Sequence, residues 1–230
     1  MKIMAIGDIH GRTKWKKANT EGVDKVIFIG DYVDSFDESN ELMVSNLREI
    51  IELKKAEPDK YVLILGNHDI QYLYYPDYRC SGFRAEIQID LTELFRTNRD
   101  LFQVAYQVGD YLFTHAGVCK DWYIEFMPFM KDMEGEMADI LNTLHHDREA
   151  QKVLFKAGYM RSKNYGAGGI VWADKNETID DMVYGLHQIV GHTRVSMIQT
   201  WWNKERDASM TYIDVLEKST AFYELIVDSC

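Results

Sequence analysis

Five times in 230 residues a short apolar run stops and gives way at once to polar side chains that no hydrophobic core would choose. "IMAIGDIHG" ends on Asp8 and His10, "VIFIGDYVD" on Asp31 and Asp34, and "VLILGNHD" on Asn67, His68 and Asp69. "YLFTHAG" ends on His115 and "QIVGHTR" on His192. In four of the five a glycine precedes the polar residue, where it permits a tight turn and close backbone approach. Short β-branched runs of this kind read as buried strands. Open α/β sheets gather the loops at the carboxyl ends of their strands around one crevice. Residues remote in sequence are therefore expected to meet there, each carried by a rigid strand.

The runs "KIMAI", "KVIFI", "YVLIL", "LFQVAYQV", "YLFTH" and "HQIVG" are expected strands, with two more in "MTYIDVLE" and "TAFYELIV". Between the second and third, Leu42, Met43, Leu47, Ile50, Ile51 and Leu53 recur at helical spacing. Strand, helix, strand in that order implies a parallel crossover. From residue 102 the pattern turns to hairpins, with "VGDY" at 108–111 as a turn, and 119–165 reads as mostly helical. The expectation is a mixed α/β domain, parallel in its first half and more antiparallel in its second. No repeat, low-complexity tract or linker divides it.

Asp and Glu outnumber Lys and Arg by 37 to 26, a formal charge of −11, which disfavours stable binding to nucleic acid or an anionic membrane. Cys80, Cys119 and Cys230 are odd in number and widely spaced, which fits neither a disulfide framework nor a thiolate zinc site. The apolar run in "MKIMAIGDIHG" is too short for a signal peptide and nothing later approaches a membrane span, so a cytoplasmic location is expected.

Asp8, Asp31, Asn67, His10, His115 and His192 offer carboxylate oxygens, an amide oxygen and imidazoles. Such mixed sets suit Mn, Fe, Zn, Ni or Co. Six ligands are too many for one catalytic ion that keeps a position open for water. They suit two ions with one bridging carboxylate, the arrangement that clamps attacking and leaving oxygens in a displacement at phosphorus.

The series "GDIHG", "GDYVD", "GNHD", "THAG" and "GHT", spread over residues 7 to 193, resembles the calcineurin-like metallophosphoesterases. It is most similar to the branch of serine/threonine protein phosphatases and their bacterial and phage relatives. The resemblance implies a two-sheet β-sandwich flanked by helices, in four αββα layers. It implies one domain over 1–230, with cap elements near 74–90 and 119–165. It assigns Asp8 and His10 to a first divalent metal, Asp31 to a bridge, and Asn67, His115 and His192 to a second. His68 becomes the general acid and Asp34 the carboxylate that orients it. The implied chemistry is direct attack on phosphorus by hydroxide held between the metals, with no phosphoenzyme.

In that branch "GDYVD" continues with a phosphate-binding arginine and a glycine, where this chain has Ser35 and Phe36. Arg12 and Arg194 are the expected replacements, with Arg79, Arg84 and Arg161 as others. "GGIVWAD", 168–174, resembles a further family region but carries Asp174 where an arginine can stand. His145 and His146 lie in an expected helix without partner motifs and read as structural. His187 precedes its strand and is set at the opposite edge. The series Met127, Met130, Met133 and Met137 reads as packing, Trp201 and Trp202 as hairpin core with one flanking the site, and "RTKWKK" as a solvated face. The function expected is a metal-dependent phosphatase acting on phosphoprotein or small phosphate monoesters. The alternative is a phosphodiesterase or a hydrolase of dinucleoside polyphosphates or nucleic-acid ends, and a non-catalytic scaffold is disfavoured because every ligand is present.

Overall fold

The computed structural model describes residues 1–227. Its strands are β1 (Lys2–Ile6), β2 (Lys25–Phe28), β3 (Tyr61–Ile64), β4 (Phe102–Gln103) and β5 (Ala105–Val108). They continue with β6 (Tyr111–Thr114), β7 (His187–Val190), β8 (Gln199–Trp202), β9 (Ser209–Tyr212) and β10 (Tyr223–Ile226). The first sheet has the order β10-β1-β2-β3-β4, and the second β5-β6-β7-β9-β8. In the first, β1 to β4 run parallel and β10 lies antiparallel on β1.

Both faces of the first sheet are apolar, as buried parallel strands require. Alternate residues Ile3, Ala5, Ile27, Val62 and Ile64 face the second sheet, where Phe113 and Ile189 meet them. The intervening Met4, Ile6, Val26, Phe28 and Leu63 face the helices. Helix α1 (Asn40–Ala56) covers that outer face with Met43, Leu47, Ile50 and Ile51. It starts where Ser39 accepts the N–H of Leu42, the usual role of a serine cap. The shorter helices are α2 (Asn67–Leu73), α3 (Gln88–Thr97), α4 (Lys120–Met130), α5 (Met137–Leu144), α6 (Arg148–Leu154), α7 (Tyr159–Ser162) and α8 (Lys175–Asp180). The result is two mixed sheets flanked by helices, as the resemblance implied.

Three expectations need correction. "LFQVAYQV" is not one strand: it supplies β4 to the first sheet and β5 to the second, broken at Val104. The break is held from afar, because the Asn142 Oδ1 accepts the N–H groups of Val104 and Ala105. The second half is also less antiparallel than expected: in the second sheet β6, β7 and β9 run parallel, and antiparallel pairing is confined to its edge strands β5 and β8 and to β10 on the first sheet. Strand β8, "QTWW", was not anticipated; its partly exposed residues give no apolar run. Among the described residues no helix is long and apolar enough to cross a membrane. Cys80 and Cys119 are free, and Cys230 lies outside the described residues.

The ends of β2 and β3 approach so closely that Gly30, at φ +102°, leaves no room for a Cβ, which would lie 2.5 Å from the Gly66 nitrogen. Gly30→Ala is expected to destabilise by roughly 2–5 kcal/mol, the sum of a left-handed backbone cost and overpacking. Gly22→Ala, also at positive φ but with nothing within 4 Å, is expected to lose only the backbone part. Urea unfolding of both variants measures the difference; equal losses would show that the close approach is not what constrains Gly30.

Candidate metal centre

The parallel strands β1, β2 and β3 of one sheet and β6, β7 and β9 of the other deliver their carboxyl ends to one place. Two hydrogen bonds stitch the sheets there: the His115 ring Nδ1 lies 2.8 Å from the Ile29 carbonyl, and His192 N–H meets the Asp8 carboxylate at 3.1 Å. Asp8, His10, Asp31, Asn67 and His115 are all buried, and His192 is half-buried.

Their backbone is strained in a particular way. His10, Asp31, Asp34 and His192 have φ of 45°, 51°, 64° and 60°. Outside glycine such values cost about 1–3 kcal/mol each and collect at functional sites. Each turns the chain sharply just after a strand, so that the side chain looks into the crevice.

Asp31 sits at the centre. Its Oδ2 is 3.6 Å from His10 Nε2 and 3.3 Å from His115 Nε2, and its Oδ1 accepts the His68 N–H at 2.9 Å. Asn67 Oδ1 lies 3.1 Å from His115 Nε2 and 3.0 Å from His192 Nδ1. Two groups of potential ligands result, His10–Asp31–His68 and Asp31–His115–His192, each with donor atoms within 4.8 Å of one another. Asp31 belongs to both. Asp8 is in neither group; its carboxylate is turned to the His192 N–H.

The donor chemistry fits cations. His115 Nδ1 and His10 Nδ1 face the carbonyl oxygens of Ile29 and Val33, so each ring carries a proton on Nδ1 and donates it there. In the neutral ring Nε2 then presents a lone pair, and in His115 that lone pair is aimed at two oxygens, of Asp31 and Asn67. Only a proton or a metal ion makes that arrangement favourable, and carbonyl-oriented imidazoles are the usual support of metal-ligating histidines. Burial opposes charge on His115, yet Asp31 and Asp8 raise its pKa to about 9, a proton standing where a cation would. His192 Nε2 is buried without a hydrogen-bond partner among the described residues. For Asp31, burial is outweighed by His115, His68 and His10, which hold its carboxyl well below the usual range. Asp8 is pushed up by burial and by Asp214 and Asp31 nearby.

His68 and Asp34 form a pair beside this centre, with Nδ1 3.0 Å from Oδ2. Asp34 is itself held by the side chains of Gln71 and Tyr72, the Tyr72 hydroxyl donating at 2.6 Å. The loop over the pair contains Cys80, whose sulfur is 3.8 Å from His68 Nδ1, and Gly82, where a Cβ would come within 3.3 Å of that of Asp34.

The arginines are distributed unevenly. Arg194 pairs with Glu217 at 3.1 Å and is half exposed. Arg12 is near enough for its charge to act on His10 and Asp214. Arg161 reaches in from α7: it donates to Thr193 Oγ1 at 2.8 Å and pairs with Asp174 at 2.9 Å. The Arg84 guanidinium caps the loop after Asp34, bonding the Ser35 carbonyl and, at 2.8 Å, Asn40 Oδ1. Arg79 lies over the Phe83 ring.

Sequence reasoning gave Asp69 no role, yet it is fully buried and accepts three backbone N–H groups: Gly66 at 2.8 Å, Asp31 at 2.7 Å and Tyr32 at 2.9 Å. An acidic residue in the first turn of a helix is a capping signal that could have found it. Asp214, buried after β9, was also missed although "TYID" repeats the strand-end pattern; burial and Asp31 raise its pKa to about 6. The tryptophan beside the site is Trp172, 5.5 Å from the His192 ring, not Trp201 or Trp202. Trp201 packs on Tyr212 and Trp202 on His187, at the far end of β7.

A family model described as calcineurin-like phosphoesterase matches residues 1–215. No curated protein sequence matches. Solved structures show the fold. A cold-active protein-tyrosine phosphatase of a psychrophilic Shewanella species is 18% identical with TM-score 0.58, covering 97% of this chain and 75% of that one. A mutant of a cold-active protein tyrosine phosphatase is 16% identical with TM-score 0.59, covering 97% and 74%. A protein serine/threonine phosphatase from Saccharomyces cerevisiae is 16% identical with TM-score 0.52, covering 92% and 67%.

Asp69→Asn replaces an acceptor oxygen by an amide that faces a backbone N–H. It is expected to lose about 2–3 kcal/mol of stability, the cost of one buried unpaired donor. A urea midpoint unchanged from the parent protein would show that the carboxylate is not what ties these strand ends together.

Proposed function

Because this chain belongs to the calcineurin-like phosphoesterase family, we propose that the metal-dependent phosphoesterase it forms cleaves phosphate monoesters, of a phosphoprotein or a small phosphoester, at a two-metal centre. The observation that supports this reading is the place of Asp31, whose Oδ2 lies 3.6 Å from His10 Nε2 and 3.3 Å from His115 Nε2 and so stands between the two sets of proposed ligands. Asp8 and His10 with Asp31 would hold one divalent ion, and Asp31 with Asn67, His115 and His192 the other; manganese is the first metal to supply. When bound, the ions supply positive charge to the phosphoryl oxygens and lower the pKa of water within their reach.

The chain's own side chains do the rest. Asp34 fixes the His68 ring through Nδ1, leaving Nε2 to carry a proton to the departing oxygen. Gln71 and Tyr72 keep Asp34 from turning away. Arg161 is placed to meet a phosphate oxygen, since Thr193 and Asp174 hold it near enough to His192 for its charge to act there, whereas Arg194 is the more exposed of the two. Arg12 is the second such contact. The segment 74–90 serves as a cap over His68, and α7 brings the end of 119–165 to the other side. The enzyme's expected setting is the cytoplasm.

Metal content of the purified protein, measured with manganese-supplemented hydrolysis of p-nitrophenyl phosphate, its bis ester and a phosphopeptide, tests the reading. About two ions per chain with monoester turnover is the expected result. Turnover of the bis ester alone would move the protein to the phosphodiesterase class, and no metal with no turnover would overturn the proposal. Asp31→Asn is expected to lose both ions and nearly all activity; retention of one full equivalent of metal would contradict the shared ligand. His68→Asn is expected to keep its metal and to lose about 10²–10⁴-fold on alkyl phosphates, with a smaller loss on activated aryl phosphates. An equal loss on both would exclude a proton-donor role.

A further inference from the structure

At the far end of α2 from Asn67 and His68 the surface opens into a cavity of about 620 Å³. The seven-residue helix α2, about 10 Å long, runs from the one place to the other. Three arginines from separate elements converge on this cavity: Arg96 from α3, Arg99 from the turn after it, and Arg148 from α6. Asp77 is the one carboxylate in its lining. In a chain whose formal charge is −11, a concavity with three fixed cations and one anion runs against the composition.

The guanidinium groups are positioned but not used up. Arg96 donates to the carbonyls of Leu73 at 3.0 Å and Tyr75 at 2.8 Å, and its other N–H groups meet no acceptor or carboxylate among the described residues. Those two bonds fix the fork, so little freedom is left to lose when a ligand arrives. Arg99 donates to His146 Nδ1 at 2.9 Å, which leaves the proton of that ring on Nε2 as a further donor, and its Nε lies 4.0 Å from the exposed Asp100 carboxylate, a weak contact. Arg148 pairs with Asp77 at 2.7 Å, but both are largely exposed, and an exposed pair is weak enough to yield to a doubly charged ligand. The His145 and His146 rings lie 3.8 Å apart, and both are kept neutral by burial first and by the surrounding positive charge after it. A helix cap would explain Arg96 alone; it does not bring Arg99 and Arg148 to the same hollow.

We propose that this cavity is an accessory oxyanion site that takes a phosphoryl dianion, held by Arg96, Arg99 and Arg148, separate from the metal centre. Planar guanidinium forks match phosphate oxygens in pairs. The dianion is either free phosphate or a second phosphoryl group of a multiply phosphorylated peptide. The length of α2, about 10 Å, corresponds to about three residues of extended chain. The site stands on its own residues, whether or not the metal centre cleaves monoesters.

Inorganic phosphate titrated into protein loaded with a diamagnetic divalent metal, with the imidazole signals of His145 and His146 followed by NMR, tests it. A saturable shift of both signals is expected, with an apparent Kd at least about tenfold weaker in the Arg99→Gln/Arg148→Gln double variant. Turnover of p-nitrophenyl phosphate is expected to be unchanged in that variant. No saturable shift, or the same Kd in both proteins, would overturn the site; loss of p-nitrophenyl phosphate turnover would overturn its separateness. A KM raised in the variant for a peptide with two phosphoryl groups about three residues apart, but not for the singly phosphorylated peptide, assigns the anion to the substrate. Unchanged KM for both, with phosphate binding intact in the parent, assigns it to free phosphate.

Discussion

One buried carboxylate keeps the centre in order. Asp69 takes the N–H of Gly66 at the end of β3 and those of Asp31 and Tyr32 at the end of β2. Burial and the neighbouring Asp31 push its pKa up, while the N–H groups of Gly66 and Tyr32 pull it down and favour the carboxylate. With the two strand ends tied, Asp31 Oδ1 can accept the N–H of His68, and the peptide oxygen of Asp31 can accept those of Ile9 and His10. Strands β1, β2 and β3 are thereby locked at their ends as well as along their ladders. Every residue that could ligate a metal from the first sheet hangs from this lock.

The lock also helps to explain how the four non-glycine residues of the centre, His10, Asp31, Asp34 and His192, can sit at positive φ. A strained backbone persists only where its surroundings over-determine it. Here the determination comes from below and from the sides. Below lies the sandwich core of Ile3, Ile27, Val62, Phe113 and Ile189, in which each fully buried side chain contributes about 1.5–3 kcal/mol. At the sides are the Asp69 tie and the stitches between His115 and Ile29 and between His192 and Asp8. The apolar interior thus stabilises the polar edge where the candidate ligands lie.

Much of this was legible in the chain because two signals coincide there. An apolar run sets a strand, and an abrupt glycine and polar ending sets its exit, so β1, β2, β3, β6 and β7 and the side chains after them could be read directly. What could not be read depends on a distant partner. The break between β4 and β5 needs Asn142, which lies 38 residues from Val104. Strand β8 is only half-buried and shows no apolar run. The role of Asp69 appears only when β2 lies beside β3, and that of Trp172 only when His192 is next to it. The arginines are least legible of all, since a long side chain can reach several places and only its captured carbonyls and carboxylates fix which one.

The neighbour of the first strand in its sheet is the last one. β10 lies on β1, and the amino terminus donates to the Val227 carbonyl, 226 residues away. The inner face of Ile3, Ala5, Ile27, Val62 and Ile64 likewise depends on residues far along the chain, Phe113 of β6 and Ile189 of β7, for its cover. Contacts of such long sequence separation form late and slowly. Asp31 is synthesised early, but His115 and His192 reach it only when the second sheet closes. The candidate ligands of the two sheets are thus brought together by the same closure that buries the core between them.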